Sequence, residues 1–200
     1  MEFKNLPQFS PFTDFQDYYK RAEDQGEKIT EAGCISSVDL NNMPHARYVN
    51  FKYFFEDNLI FFSSYTSNKA KDFDNNQNVA VNFWWPTIDT QIRMEGTISK
   101  CTEKFSDEHF YGREQGKNIA AIASDQSKSI DSYEMLQDKY EHIKSLIEAG
   151  KLDEKRPVNW GGYQIKINYF EFWKANSDRL NYRECFKFQS EGWEKFFLQS

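Results

Sequence analysis

Two stretches of this chain concentrate cations and hydroxyls. They are Arg47-Tyr48-Val49-Asn50-Phe51-Lys52 and, about ten residues on, Phe62-Ser63-Ser64-Tyr65-Thr66-Ser67-Asn68-Lys69. Both read as the ends of neighbouring strands, the second running into a helix start. Charge from Arg47 and Lys69, with donors from Ser63, Ser67 and the helix N-terminus, suits a dianionic phosphate. The chain has no Gly-rich phosphate loop, so such a site has to be carried by strands. Taken without further context, the same two cations fit solvated surface charges better than a binding site.

The elements that must position these groups follow from pattern and punctuation. Ser10-Pro11 before Phe12, Phe15, Tyr18 and Tyr19 predicts a capped amphipathic helix, ended by Gly26. Gly33 to Asp39 reads as a strand, Asn41-Asn42-Met43-Pro44 as a turn, and Ala46 to Phe55 as a second strand. Glu56-Asp57-Asn58 turns the chain into Leu59 to Ser63, giving a hairpin. Ser67 is placed to cap a helix running to about Asn75. Val79 to Trp85 and Gln91 to Cys101 are strands joined around Pro86. Thr102 opens a helix with Glu103 and Asp107 near its positive end. Asn118 to Ala123 is small and helix-permissive. Ser132 to Ala149 is the longest helical pattern, with Leu136, Tyr140, Ile143 and Ile147 on one face and Gly150 as its stop. Lys151 to Pro157 reads as a loop within one domain. Tyr163 to Ile167, Phe170 to Lys174, Leu180 to Phe188 and Trp193 to Leu198 complete the strands. Antiparallel strands with helices inserted among them predict a mainly β domain over residues 1–200, a closed or partly closed barrel with peripheral helices.

Composition narrows the function classes. The formal charge of −6 and the lack of any Lys/Arg block argue against nucleic acid, although a local basic pocket is compatible with an acidic surface. No apolar run approaches the roughly 20 residues of a membrane helix. Met1-Glu2-Phe3-Lys4-Asn5 has no basic-then-apolar signal pattern, so a cytoplasmic protein is expected. Cys34, Cys101 and Cys185 form no C-x-x-C pair, and His45, His109 and His142 have no ligand spacing. No metal site or disulfide framework is therefore expected. The 19 Phe, 11 Tyr and 5 Trp suit a β-rich core, and rings at strand ends can also stack on a planar ligand.

The two cationic stretches resemble the pyridoxamine 5'-phosphate oxidase family, FMN enzymes built on a split β-barrel. Further matches follow in the family's order. They are Asn75-Asn76 before Val79-Ala80-Val81-Asn82-Phe83-Trp84-Trp85, then Gln91-Ile92-Arg93-Met94-Glu95-Gly96 and Ser124-Asp125-Gln126-Ser127. Trp160-Gly161-Gly162-Tyr163, Glu171-Phe172-Trp173 and Arg179-Leu180-Asn181-Tyr182-Arg183 complete the set. The resemblance runs from about Asn5 to the C-terminus. It implies an obligate homodimer with FMN at the interface.

The resemblance assigns roles residue by residue. Arg47 and Lys69, with Tyr48, Val49, Phe62, Ser63 and Asn68, match the flavin-phosphate side. Asn68 stands where the family has an Arg, so one charged contact is missing. Gln91 matches a Gln at the flavin ring or its side chain. Gln126 and Ser127 match a pair that reaches flavin from the partner subunit, and Trp173 and Arg183 match contacts on that side. Lys52, counted here with the flavin contacts too, matches the Lys that holds the substrate phosphate. The family's accompanying Tyr, Arg and Ser read here as His109, Arg113 and Lys117. The family's Arg-Leu-His-Asp-Arg run is Arg179 to Arg183, with Asn181 in place of the His. Arg179 is expected beside the substrate ring. An Asn can replace a His that orients substrate but not one that moves a proton near neutral pH. The longer basic N-terminal arm that covers substrate in some relatives is not expected ahead of the first helix.

The activity implied is oxidation of pyridoxamine or pyridoxine 5'-phosphate to pyridoxal 5'-phosphate. Hydride would pass from the 4'-carbon to the flavin, and oxygen would be reduced to hydrogen peroxide. Two alternatives stay open. One is a split-barrel flavoprotein oxidoreductase acting on a different small anion, to which His109, Lys117 and Asn181 point. The other is a non-catalytic flavin- or pyridoxal-phosphate-binding protein.

Overall fold

In a computed structural model covering residues 1–200, the chain is a β-barrel with helices on its periphery. The strands are β1 (Glu2–Lys4), β2 (Ala32–Val38), β3 (Pro44–Phe55), β4 (Asn58–Ser64), β5 (Asn78–Trp85), β6 (Thr90–Lys100), β7 (Trp160–Lys174), β8 (Tyr182–Gln189) and β9 (Gly192–Phe197). The helices are α1 (Phe12–Asp24), α2 (Asn68–Asn75), α3 (Glu103–Gly112), α4 (Gln115–Ala123) and α5 (Tyr133–Glu148), with a 3-10 turn at Pro86–Ile88.

Six strands close on themselves. β2 pairs with β3 and β5, β3 with β4, β4 with β7, β7 with β6, and β6 with β5, all antiparallel. Closure removes the exposed edges that an open sheet would present. β8 and β9 extend the sheet from the far half of β7, and β1 adds to β3 in parallel. The parallel β1 has no counterpart in the sequence pattern, because three residues carry no readable alternation.

β7 corrects one expectation. The two short strands predicted at 163–167 and 170–174 are a single strand. Its register against β6 shifts once: Gly96 faces Ile167 and Glu95 faces Tyr169, leaving Asn168 as the extra residue of a bulge. A bulge bends and twists its strand, which lets the first half of β7 pair with β4 and the second with β8. Gly96 is required there, since a Cβ would run into the Lys166 carbonyl oxygen.

The aromatic excess does fill the interior. Phe12 and Phe15 of α1 are fully buried against Phe54, Phe83, Trp85 and Phe170 of the barrel. Each such ring contributes about 1.5–3 kcal/mol by burial. α1 thus plugs the barrel with the apolar stripe that its spacing predicts. The Ser10 hydroxyl donates to the Asp14 carboxylate at the helix start. Thr102 and Ser132 accept from the amides of Phe105 and Met135 and cap α3 and α5. The Ser67 side chain does not cap α2. Its hydroxyl donates instead to the Ser64 carbonyl. α5 packs on α4 and buries none of its residues fully, so its expected apolar face stays half-covered. No helix is long and apolar enough to cross a membrane.

Candidate active site

The hairpin of β2 and β3 turns at Asn42, where φ is +61°, and sets Ile35 opposite Arg47. The Arg47 side chain slants to the neighbouring Ser37, to whose hydroxyl it donates at 2.7 Å, and approaches the Asp72 carboxylate at 3.4 Å. Asp72 is buried on α2 and also accepts from the Ser37 hydroxyl and meets His45. One turn before Asp72 on the same helix face is Lys69, only 8 % exposed. Lys69 donates to the hydroxyls of Ser63 (3.0 Å) and Ser67 (3.4 Å) and has no carboxylate within 4 Å. Burial, and then the nearby Arg47 charge, push the Lys69 ammonium below its ordinary range. A buried ammonium held only by hydroxyls is an anion site in waiting. Asn68 is exposed and does not line this cleft.

The cleft holds about 380 Å³ and continues from Arg47 and Lys69 along Tyr48, Val49 and Phe62 to Lys52, His109 and Arg113. His109 lies flat on Phe62, ring centres 3.6 Å apart and planes within 9°, and Phe105 and Trp160 lie nearly parallel to Phe62 at 6.2 and 5.5 Å. Its Nδ1 is 3.0 Å from the Tyr53 hydroxyl. Burial, followed by the charges of Arg113 and Lys52, lowers the imidazole to about 4. His109 is therefore neutral near pH 7.

Arg113 lies over the Trp160 ring at 4.1 Å. Its Nε donates to Asn118 at 2.5 Å and one terminal nitrogen to the Lys117 carbonyl. Burial lowers the guanidinium to about 10, partly offset by Glu154. Lys52 is 3.5 Å from Glu31, whose carboxyl stays below its usual range despite burial because of backbone hydrogen bonding and Lys52 itself. Lys117 is not beside Lys52. It pairs with Glu114 at 3.2 Å and lines an adjoining groove. This groove, about 680 Å³, lies between β4 and α4–α5 and shares Phe62, Ser63, Arg113 and Gln126 with the cation cleft.

Gln126 accepts from the Ser63 hydroxyl (2.9 Å) and the Ser64 amide (3.0 Å). It lines its own chain's cation cleft beside Ser63. Ser127, exposed with φ +70°, lines neither cleft.

A second, smaller cleft of about 310 Å³ is built on one row of the sheet. Gln91 faces Trp173, and Trp173 faces Arg183, so the three side chains share one face of β6–β7–β8. The buried Glu171 on the same face accepts from Arg93 (2.8 Å) and Arg183 (2.7 Å). Burial would raise this carboxyl, but the two arginines hold it low. Asn181 lines this cleft and accepts from the Asn176 amide. Arg179 is exposed on the turn before β8 with φ +62° and lines neither cleft.

The two clefts sit towards opposite ends of β7. Ser63 pairs with Gly161, and Gln91 pairs with Trp173. At about 3.3 Å per residue this is roughly 40 Å along the strand. The structure thus brings together Arg47, Lys52, Phe62, Ser63, Lys69, His109, Arg113 and Gln126, and separately Gln91, Trp173, Asn181 and Arg183.

Sequence reasoning missed the residues that orient these groups: Ser37 and Asp72 for Arg47, Tyr53 for His109, Asn118 for Arg113, Glu31 for Lys52 and Glu171 for Arg183. Only Asp72 carried a readable signal, three positions after Lys69 on one helix face. The others are joined by tertiary contact. No group of three or more His, Cys, Asp or Glu side chains is arranged to hold a metal.

Comparison with known proteins agrees with this architecture. Residues 27–147 match the family described as pyridoxamine 5'-phosphate oxidase, and residues 160–200 match the pyridoxine 5'-phosphate oxidase C-terminal dimerisation region. A pyridoxine/pyridoxamine 5'-phosphate oxidase of Leptospira biflexa is 33% identical over 185 residues, covering 92% of this chain and 86% of that protein. One from Hydrogenovibrio crunogenus is 35% identical over 182 residues, covering 91% and 82%. The fold is similar to that of PhzG from Burkholderia lata, solved with tetrahydrophenazine-1-carboxylic acid, at a TM-score of 0.89 and 22% identity over 97% of this chain and 94% of that one. An FMN-binding protein of Nostoc punctiforme superposes with a TM-score of 0.76 at 12% identity, covering 96% and 99%. The chain belongs to the pyridoxamine 5'-phosphate oxidase family of flavin-dependent oxidoreductases.

Proposed function

We propose that this protein is an FMN-dependent oxidase of pyridoxamine and pyridoxine 5'-phosphates, working as a homodimer. The observation that carries the reading is a single cleft with two cationic ends: Arg47 and the buried, carboxylate-free Lys69 at one, Lys52 and Arg113 at the other. One end suits the phosphate of the cofactor and the other the phosphate of the substrate. Curated relatives of that name, matched over most of this chain, support the substrate class.

FMN, when bound, supplies the two-electron chemistry that these side chains lack. Arg47, Lys69 and Ser63 would hold its phosphate, with Gln126 steadying Ser63. Gln91, Trp173 and Arg183 would meet the flavin from the second subunit. The separation of the two clefts along β7 supports this division, and so does the dimerisation-region match at 160–200. Lys52 and Arg113 fix the substrate phosphate, so that binding far from the reacting carbon holds the ring in place. Arg179 and Asn181, on the segment before β8, would approach the ring from the partner's side. Asn181 orients and does not carry a proton.

A second reading, oxidation of a less charged anion on the same cofactor, is favoured by Glu31, which partly neutralises Lys52 at 3.5 Å. Oxygen uptake by FMN-loaded protein, measured with pyridoxine 5'-phosphate, pyridoxamine 5'-phosphate and their unphosphorylated forms, separates the two. Turnover confined to the phosphorylated forms supports the first reading. Equal or faster turnover without phosphate overturns it.

A further inference from the structure

Phe62 and His109, stacked ring on ring, line the substrate end of the cleft, and the polar member of the pair is a histidine. We infer that Tyr53 is a positioning residue that fixes the His109 tautomer, so that Nε2–H points a neutral donor at the substrate's phosphate. The inference rests on the reading of this cleft given above and adds a residue and a protonation state to it.

The geometry is specific. The Tyr53 hydroxyl and His109 Nδ1 are 3.0 Å apart, and neither atom has another hydrogen-bond partner. Nε2 bonds to no protein group and is not sealed from solvent, and His109 lines the cleft, which leaves this nitrogen free for a ligand there. Two arrangements are possible for the pair. Either the phenol donates to Nδ1, leaving the proton on Nε2, or Nδ1–H donates to the phenol oxygen, leaving a lone pair on Nε2. A phenol is the stronger donor and an imidazole nitrogen the stronger acceptor, so the first is favoured. Burial raises the Tyr53 phenol, which keeps its proton available.

The Tyr53 ring is itself fixed. Phe62 and Phe105 contact it edge-on, and Lys4 lies 4.5 Å over its face. The charged groups around His109 are Lys52 on β3, Arg113 after α3, and Glu2 and Lys4 on β1. The cations among them oppose protonation of the ring. They also draw in the anion that Nε2–H would meet. Lys52, Arg113 and a neutral imidazole N–H then make three convergent donors, and the histidine adds direction without adding charge.

The test is long-range 1H–15N NMR on full-length, FMN-loaded protein with 15N-labelled histidine, assigned with His109→Asn. The Nε2–H tautomer between pH 6 and 8, with an Nε2 signal that moves on adding pyridoxal 5'-phosphate but not pyridoxal, supports the inference. In Tyr53→Phe the tautomers should mix, and KM for pyridoxine 5'-phosphate should rise roughly three- to tenfold, with a smaller change in kcat. Combined with His109→Asn, Tyr53→Phe should add no further loss. An Nδ1–H or protonated ring in the wild type overturns the inference, as do additive effects of the two substitutions. The NMR needs no turnover. A protein that shows the tautomer and the phosphate-dependent shift but does not oxidise B6 phosphates would sink the functional reading and leave this one standing.

Discussion

Lys69 Nζ lies 3.0 Å from the Ser63 hydroxyl, and no carboxylate comes within 4 Å of it. The fold pays for a buried charge here without supplying its counter-ion, and that imbalance is what an anionic ligand would correct. Lys69→Met should weaken FMN binding about 10- to 100-fold, the loss of one charge-assisted contact. Fluorescence titration with FMN reads this directly. The stability of the flavin-free protein should hold or rise, because no buried ammonium remains to be desolvated.

The same group makes the flavin-free protein sensitive to alkaline pH. The folded-state Lys69 titrates below its unfolded value, so between the two the unfolded chain binds more protons. Stability should therefore rise with pH through that window. Urea midpoints measured against pH should show the rise in the wild type and lose it in Lys69→Met or when FMN is bound.

His109 gives an acidic counterpart. From pH 6.5 down to about 4 the unfolded chain takes up a proton that the folded ring refuses. Stability falls across that interval as pH falls. His109→Asn should flatten this part of a stability-against-pH curve, and an unchanged slope would show that the ring is not desolvated.

Much of this was legible beforehand, for identifiable reasons. The Asn41–Pro44 turn and the aromatic and β-branched content of 46–55 marked the hairpin that carries Arg47, and the apolar spacing of Phe12, Phe15 and Tyr19 marked the helix that plugs the barrel. The Lys69 position followed from a run of hydroxyls ending at a helix start. What failed was whatever depends on contacts between distant segments. Asn168 as a bulge, β1 beside β3 and Gln126 bonded to Ser63 each join segments with no shared local pattern, whereas Lys117 is drawn off by a near neighbour, Glu114, three residues before it. The neutrality of His109 was hidden for the same reason, since its partners come from β3, β4 and β7.

Glu31→Gln should release Lys52 for substrate. KM for pyridoxine 5'-phosphate is expected to fall a few-fold, as for removal of one partly exposed ion pair of up to about 1 kcal/mol. A rise in KM would mean that Glu31 itself helps to hold the substrate, in favour of the less charged anion.

The division of one site between two subunits predicts complementation. Lys69→Met and Trp173→Ala should each be nearly inactive as homodimers. Refolded together, they should recover about a quarter of wild-type activity, because half the dimers are mixed and each mixed dimer has one intact site. No recovery would place both residues in one site of one chain.

Arg179→Ala should cripple turnover while leaving the flavin bound, with retention judged from the visible spectrum. Unchanged turnover would remove Arg179 from the substrate site.

The most direct measurement is an anaerobic visible spectrum of FMN-supplemented protein titrated with pyridoxine and pyridoxamine 5'-phosphates. The account predicts rapid bleaching of bound flavin and return of the colour when air is admitted. Flavin that binds but does not bleach with either phosphate would contradict it.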